Sequence, residues 1–148
     1  MEIRKLTGKD IEQFVELIRV FEDVFEMQNF QMPQKEHLLS VLAQPGFLVF
    51  VAVEDDAVVG GLTVYTLPQY YATKPLAYIY DLAIRKNRQR QGIGQKLIAE
   101  VNRYCLENGY EEVFVQADKV DDYAVDFYRL TKPTNEEEVV HFYYTLGK

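Results

Sequence analysis

Ile11, Phe14, Ile18, Phe21 and Phe25 recur at three- and four-residue spacing, while Glu12, Glu16, Arg19, Glu22 and Asp23 fall mostly off that stripe. This period predicts an amphipathic helix. Residues 2–6 ahead of it suit a short strand, and Thr7-Gly8-Lys9-Asp10 has the form of a capping box at a helix start. The helix's acidic end either lines a cleft or is a solvated face. Pro33 suits the first turn of a second, shorter helix carrying Leu38, Leu39 and Leu42, which Pro45-Gly46 closes.

The pattern then changes to strands. Residues 47–54 and 58–66 are two apolar, β-branched runs joined by Asp55-Asp56-Ala57, which reads as a tight antiparallel hairpin. A proline-containing stretch leads into residues 77–84. A loop over 85–91, a helix to about residue 108 and a strand over 112–116 follow, with Gly109 at the helix C-cap. Strand, loop, helix and strand in that order make a crossover unit with two parallel strands. Residues 121–128 predict a short helix with an acidic first turn, and residues 138–146 a last strand. The sum is an α+β domain whose mixed central sheet contains one parallel crossover unit flanked by helices.

One residue breaks the strand pattern. Tyr78-Ile79-Tyr80-Asp81-Leu82-Ala83-Ile84 is apolar and aromatic except for Asp81. A carboxylate there is costly to desolvate unless it is paired, so Asp81 is either satisfied by an amide or arginine, or used in chemistry.

Length and charge narrow the classes. The 148 residues fit one domain, 1–148, large enough for a core without staples. The single cysteine, Cys105, leaves no intrachain disulfide and no Cys cluster for zinc, so no metal is expected and a reducing cytoplasm is the natural compartment. No run approaches a membrane span and no signal peptide is evident. The formal charge of −7 disfavours nucleic acid and tilts toward a neutral or cationic partner, although it also serves plain solubility.

The sharpest local signal is Gln89-Arg90-Gln91-Gly92-Ile93-Gly94 at a helix start, within a basic run of Arg85, Lys86, Arg88 and Arg90. Glycines there let backbone N–H groups approach an anion, and a polyphosphate accounts economically for the basic run. The Walker loop fails on spacing and hydroxyl. The dinucleotide fingerprint fails at Leu97, where its third glycine belongs.

The loop resembles the Gln/Arg-x-x-Gly-x-Gly/Ala signature of the GCN5-related N-acetyltransferases (GNAT), and the element order is similar to that acyl-CoA N-acyltransferase fold along nearly the whole chain. Further likeness to the aminoglycoside 3-N-acetyltransferases of that superfamily comes from YIYDLAI, RQRQGIG and VFVQAD (residues 113–118). Asp121-Asp122-x-Ala124-Val125 with Tyr128, and Glu137-Glu138-Val139-Val140-His141-Phe142, extend it. The chain departs from that group after the helix tyrosine, where Thr131-Lys132-Pro133-Thr134 replaces a usual Leu-Gly.

The resemblance implies acetyl-CoA as co-substrate, with Leu82, Ala83 and Ile84 offering backbone groups to pantetheine. Gln89, Arg90, Gln91, Gly92, Ile93, Gly94 and Gln95 would hold phosphate, and the region of Asp122 and Ala124 would touch pantetheine. Amides near Leu82 and Ala83 would polarise the thioester carbonyl, and Tyr128 would protonate the departing thiolate, unless it is a core tyrosine. Asp81 would bind the incoming ammonium or take its proton. Asp118, Asp121, Glu138 and His141 are acceptor-side candidates whose alternatives are caps, solvated charges and a satisfied strand histidine.

The expected activity is acetyl transfer to a primary amine, an aminoglycoside at its 3-N position, by direct attack in a ternary complex. The rivals are polyamine, small-amine or protein acetylation, or a non-catalytic CoA-binding module. A homodimer joined through the C-terminal strands is a further implication of the family likeness.

Overall fold

A computed structural model describes residues 1–147. It divides into two compact units, Met1–Gln116 and Ala117–Lys148.

The first unit is built on a five-stranded sheet in the order β1 (Glu2–Lys5), β2 (Phe47–Glu54), β3 (Ala57–Leu67), β4 (Leu76–Ile84) and β5 (Glu112–Val115). The first three pairings are antiparallel, and only β4 and β5 run parallel. Helices α1 (Ile11–Val24) and α2 (Lys35–Leu42) precede β2, and α3 (Ile93–Glu107) is the crossover between β4 and β5.

Alternation along β2 separates the two faces. Phe47, Val49, Val51 and Val53 join one core with Phe14, Leu17, Val20 and Phe21 of α1 and Leu38 and Leu42 of α2. Phe50, which points the other way, meets Tyr104 of α3 edge-on. The sheet is therefore covered by α1 and α2 on one side and by α3 on the other. Leu17 and Val20, fully buried, form the heart of the α1 stripe, while Phe25 at its end is exposed.

Local signals work as their chemistry requires. Asp55 and Asp56 both take positive φ, 52° and 62°, giving the two-residue hairpin turn between β2 and β3. Gly109, at φ 77°, follows the end of α3, and the Tyr110 N–H donates to the Cys105 carbonyl at 3.0 Å, closing a Schellman motif.

Three expectations are corrected. The Thr7 N–H and hydroxyl donate to Asp10 Oδ2 at 2.8 and 3.1 Å, so this box closes a turn before α1 and caps no helix amide. Pro33 lies ahead of Gln34, the N-cap of α2, and outside its first turn. The expected last strand over 138–146 is absent: these residues form neither strand nor helix. A strand persists only within a ladder that satisfies its backbone, and the sheet draws no strand from this segment. Its side chains stay in water, from Val139 at 60% exposure to Leu146 at 88%.

The second unit contains α4 (Asp122–Leu130) followed by the non-regular C-terminal segment. No helix among the described residues is long and apolar enough to cross a membrane.

Candidate active site

Strand β4 is the site's spine because its two edges have different partners. Against β3 it pairs along its whole length, Leu76 with Leu67 through Ile84 with Gly60. Against β5 the pairing covers only Leu76 to Ile79, which register with Glu112 to Val115. From Tyr80 to Ile84 the β5-facing edge has no strand partner, which leaves extended backbone for a ligand to line. Leu82, Ala83 and Ile84 lie on that stretch.

The end of β4 feeds the glycine loop. The Gln89 side-chain amide donates to the Ile84 carbonyl at 3.0 Å, fastening the loop to the strand. Arg85 Nε donates to the Val58 carbonyl at 2.8 Å, and Arg88 pairs with Glu54. Two members of the basic run therefore hold the loop in place. Arg90 takes a positive φ of 63° and Gly92 one of 81°.

Gly92 is the N-cap of α3, and no side chain caps the helix. The first intrahelical bond here runs from the Lys96 N–H to the Gly92 carbonyl at 3.1 Å. The amides of Ile93, Gly94 and Gln95 thus begin the helix without an i−4 partner, at its positive end. This cradle fits a pyrophosphate, and Gly92, with nothing within 4 Å of where a Cβ would stand, leaves it open.

Asp81 stands where β4 outruns β5. Its N–H donates to Thr63 Oγ1 at 3.3 Å. Among the described residues, no hydrogen bond or ion pair engages its carboxylate. Burial pushes the carboxyl above the ordinary aspartate range. The structural alternative, an acid satisfied by an amide or an arginine, is not what the geometry shows.

Tyr65 and Tyr80 were not singled out by sequence. Tyr65 packs edge-on to Tyr80 with centroids 5.5 Å apart, and burial, then Tyr80 and Asp81, push its phenol up. The Tyr78-x-Tyr80 alternation ahead of Asp81 could have marked Tyr80, whereas Tyr65, on the preceding strand, joins it only through register. Elsewhere in this unit, Glu22, Asp23, Glu26, Gln28 and Lys86 line a shallow, open depression of about 490 Å³, and Asp23 and Glu26 are exposed, so the acidic end of α1 is a solvated face.

The second unit carries the remaining candidates. Asp121 caps α4, its Oδ1 accepting from the Ala124 N–H at 3.0 Å, and Asp122 opens the helix. Tyr128 is half-buried, its ring 5.0 Å from that of Phe127. Asp118 is exposed and accepts from the Asp121 N–H through its backbone carbonyl. Glu138 pairs with Lys119 at 2.9 Å, and His141 stacks on Tyr143 at 4.3 Å, both at the surface.

Cys105 is buried in α3, and desolvation pushes its thiol up to about 11. It is no nucleophile at neutral pH. Among the described residues no group of three or more His, Cys, Asp or Glu could hold a metal ion.

The sequence model of the acetyltransferase (GNAT) family matches residues 12–131. Among solved structures, the chain is similar to the aminoglycoside acetyltransferase meta-AAC0020, from an uncultured soil metagenomic sample, in complex with sisomicin. Identity is 62% and the TM-score 0.98, with 99% of this chain and 96% of that one covered. The aminoglycoside acetyltransferase HMB0005, also from an uncultured soil metagenomic sample, is 27% identical with a TM-score of 0.91, over 99% and 98% of the two chains. An uncapped glycine-led helix, a strand whose edge is open beside it and a family match over most of the chain converge: this protein belongs to the GNAT family and is an acetyl-CoA-dependent N-acetyltransferase.

Proposed function

We propose that this acetyltransferase acts on an aminoglycoside amine, at the 3-N position, by direct attack within a ternary complex. The observation that carries the reading is Asp81: a half-buried carboxylate without an ion-pair partner, at the point where β4 parts from β5 and on the strand that leads into the glycine loop. A polycationic acceptor supplies the missing counter-charge. The likeness to meta-AAC0020, solved with sisomicin, supports the same acceptor class.

In this reading the acceptor's ammonium binds Asp81, which takes one amine proton directly or through water. The amine nitrogen attacks the thioester carbonyl carbon while amides near Leu82 and Ala83 stabilise the oxyanion. The C–S bond then breaks, Tyr128 protonates the leaving thiolate, and the second proton leaves the new amide nitrogen through solvent and restores the Tyr128 phenol. Leu82, Ala83 and Ile84, the residues from Gln89 to Gln95, and Asp122 with Ala124 form the acetyl-CoA side. Asp118, Asp121, Glu138 and His141 belong to the acceptor side. Asp121 and Glu138 do so from within a cap and an ion pair.

We also propose that the protein works as a cytoplasmic homodimer. The apolar side chains of the exposed C-terminal segment, Val139, Val140, Phe142 and Leu146 among them, are the observation that favours a second copy.

The test is CoA-thiol release with sisomicin, spermidine and a peptide bearing a free N-terminus, followed by product NMR. Rapid release with sisomicin, acetyl at the 3-amine and intersecting initial-velocity lines are expected. Release only with spermidine or the peptide overturns the acceptor, and tight CoA binding without release to any amine favours a binding module. Light scattering of the purified chain reads the dimer, and a monomer at assay concentration removes it.

A further inference from the structure

A continuous run of aromatic contacts crosses the sheet on the α1 side. Phe47 of β2 touches Tyr65 of β3 at 5.2 Å, Tyr65 touches Tyr80 of β4 at 5.5 Å, Tyr80 touches Tyr78 at 5.8 Å, and Tyr78 stacks flat on Phe114 of β5 at 4.7 Å. The ends of this run have structural work. Phe47 is buried against α1, and the parallel stack of Tyr78 on Phe114 ties β4 to β5, with the Tyr78 hydroxyl donating to Gln116 at 3.2 Å.

The middle pair differs. Tyr65 is 41% and Tyr80 58% exposed, and among the described residues neither hydroxyl makes a hydrogen bond. Two half-exposed rings in contact present a contiguous apolar surface that a ligand could cover. Their planes stand at 89°, so together they make an open corner of two aromatic walls. Asp81, next to Tyr80, lies within electrostatic reach of the Tyr65 phenol.

We infer that Tyr65 and Tyr80 form a platform for the ring of a cyclic amine acceptor, selecting amino sugars over acyclic polyamines. This rests on the acceptor reading above. Ring C–H groups made electron-poor by neighbouring oxygens and ammonium groups meet the negative faces of the tyrosines, while an exocyclic ammonium reaches Asp81. Tyrosine suits this work because it offers a large rigid face with few rotatable bonds. An acyclic polyamine can reach Asp81 and set an ammonium over one tyrosine face, yet it presents no ring of C–H groups to fill both walls. Charge thus draws any polyamine, and the aromatic corner tells ring from chain.

The test is calorimetric titration of sisomicin and of spermidine into the CoA-saturated protein, with acetyl transfer measured in parallel. Tyr80→Ala, and Tyr80→Leu, which keeps apolar bulk without a π face, are expected to weaken sisomicin about 10-fold. Spermidine should shift less than about 3-fold, and Tyr80→Phe should leave sisomicin within about 2-fold. Tyr65→Ala is expected to follow Tyr80→Ala. Equal weakening of both amines, no weakening of either, or no sisomicin binding by the unsubstituted protein overturns the platform. Sisomicin binding with the expected ring selectivity but without turnover leaves the platform standing and defeats the acetyl-transfer reading instead.

Discussion

Tyr78 and Asp81 stand three positions apart on β4 yet register with Tyr65 and Thr63, only two positions apart on β3. The extra residue is Tyr80, a β-bulge between them. In an unbroken strand an odd spacing puts two side chains on opposite faces; one inserted residue restores them to the same face. The bulge therefore brings Asp81 to the α1 side of the sheet, alongside the tyrosines and just beyond the last residue that pairs with β5.

Replacement of Asp81 by Asn separates catalysis from stability. Turnover should fall about 10²–10⁴-fold, the range for loss of a positioned proton acceptor, with CoA affinity within about twofold. Because burial raises the folded carboxyl, the folded chain holds its proton more tightly than the unfolded chain. Stability from this group is present below the ordinary carboxylate range and is lost as pH rises through the folded value. Asp81→Asn should thus raise the Tm at neutral pH above that of the unsubstituted chain. The gain should vanish in melts at low pH. An unchanged turnover would remove Asp81 from the chemistry.

Tyr128→Phe keeps the ring that packs on Phe127 and removes only the hydroxyl. A fall in kcat of about 10²-fold with unaltered CoA affinity is expected from loss of a proton donor. Full activity in the variant would make Tyr128 a packing residue.

Gly92→Ala tests the cradle. A Cβ there would touch nothing within 4 Å, so its cost comes from the backbone, held at φ 81°. That cost is about 1–2 kcal/mol for an L-residue. CoA binding, read by calorimetry, should weaken by about 10-fold as the N-terminus of α3 relaxes, and unaltered affinity would argue that this turn is not the phosphate site.

Gly61→Ala is the opposite case, a steric one. Its Cβ would lie 2.5 Å from the Phe50 carbonyl oxygen and 2.8 Å from Leu17 Cδ1, in the seam between β3 and α1. Overpacking of this kind costs about 1–3 kcal/mol. Thermal melts should show a clear loss of Tm, and an unchanged Tm would mean that α1 has room to move away.

Cys105→Ser should retain acetyl transfer. The buried thiol, pushed up to about 11, stays protonated across the assay range, so native protein should react with a thiol reagent only as fast as it opens. A dead variant with an intact melting curve would reopen an acyl-cysteine route.

The sequence by itself determined what depends on neighbours along the chain. Apolar spacing marked α1, Asp55-Asp56 marked a hairpin, and Gly92 with Gly109 marked both ends of the crossover helix, because turns, caps and amphipathic stripes are local physics. It also singled out Asp81, since one charge in an apolar strand is visible in a single line of residues. Tertiary structure decided everything that needs a partner strand. Register showed that Asp81 has no ion-pair partner, that β5 stops short of it, and that Tyr80 is a bulge meeting Tyr65 across the sheet. It also denied residues 138–146 their expected strand, because β-propensity is a property of side chains whereas a strand is a property of a ladder.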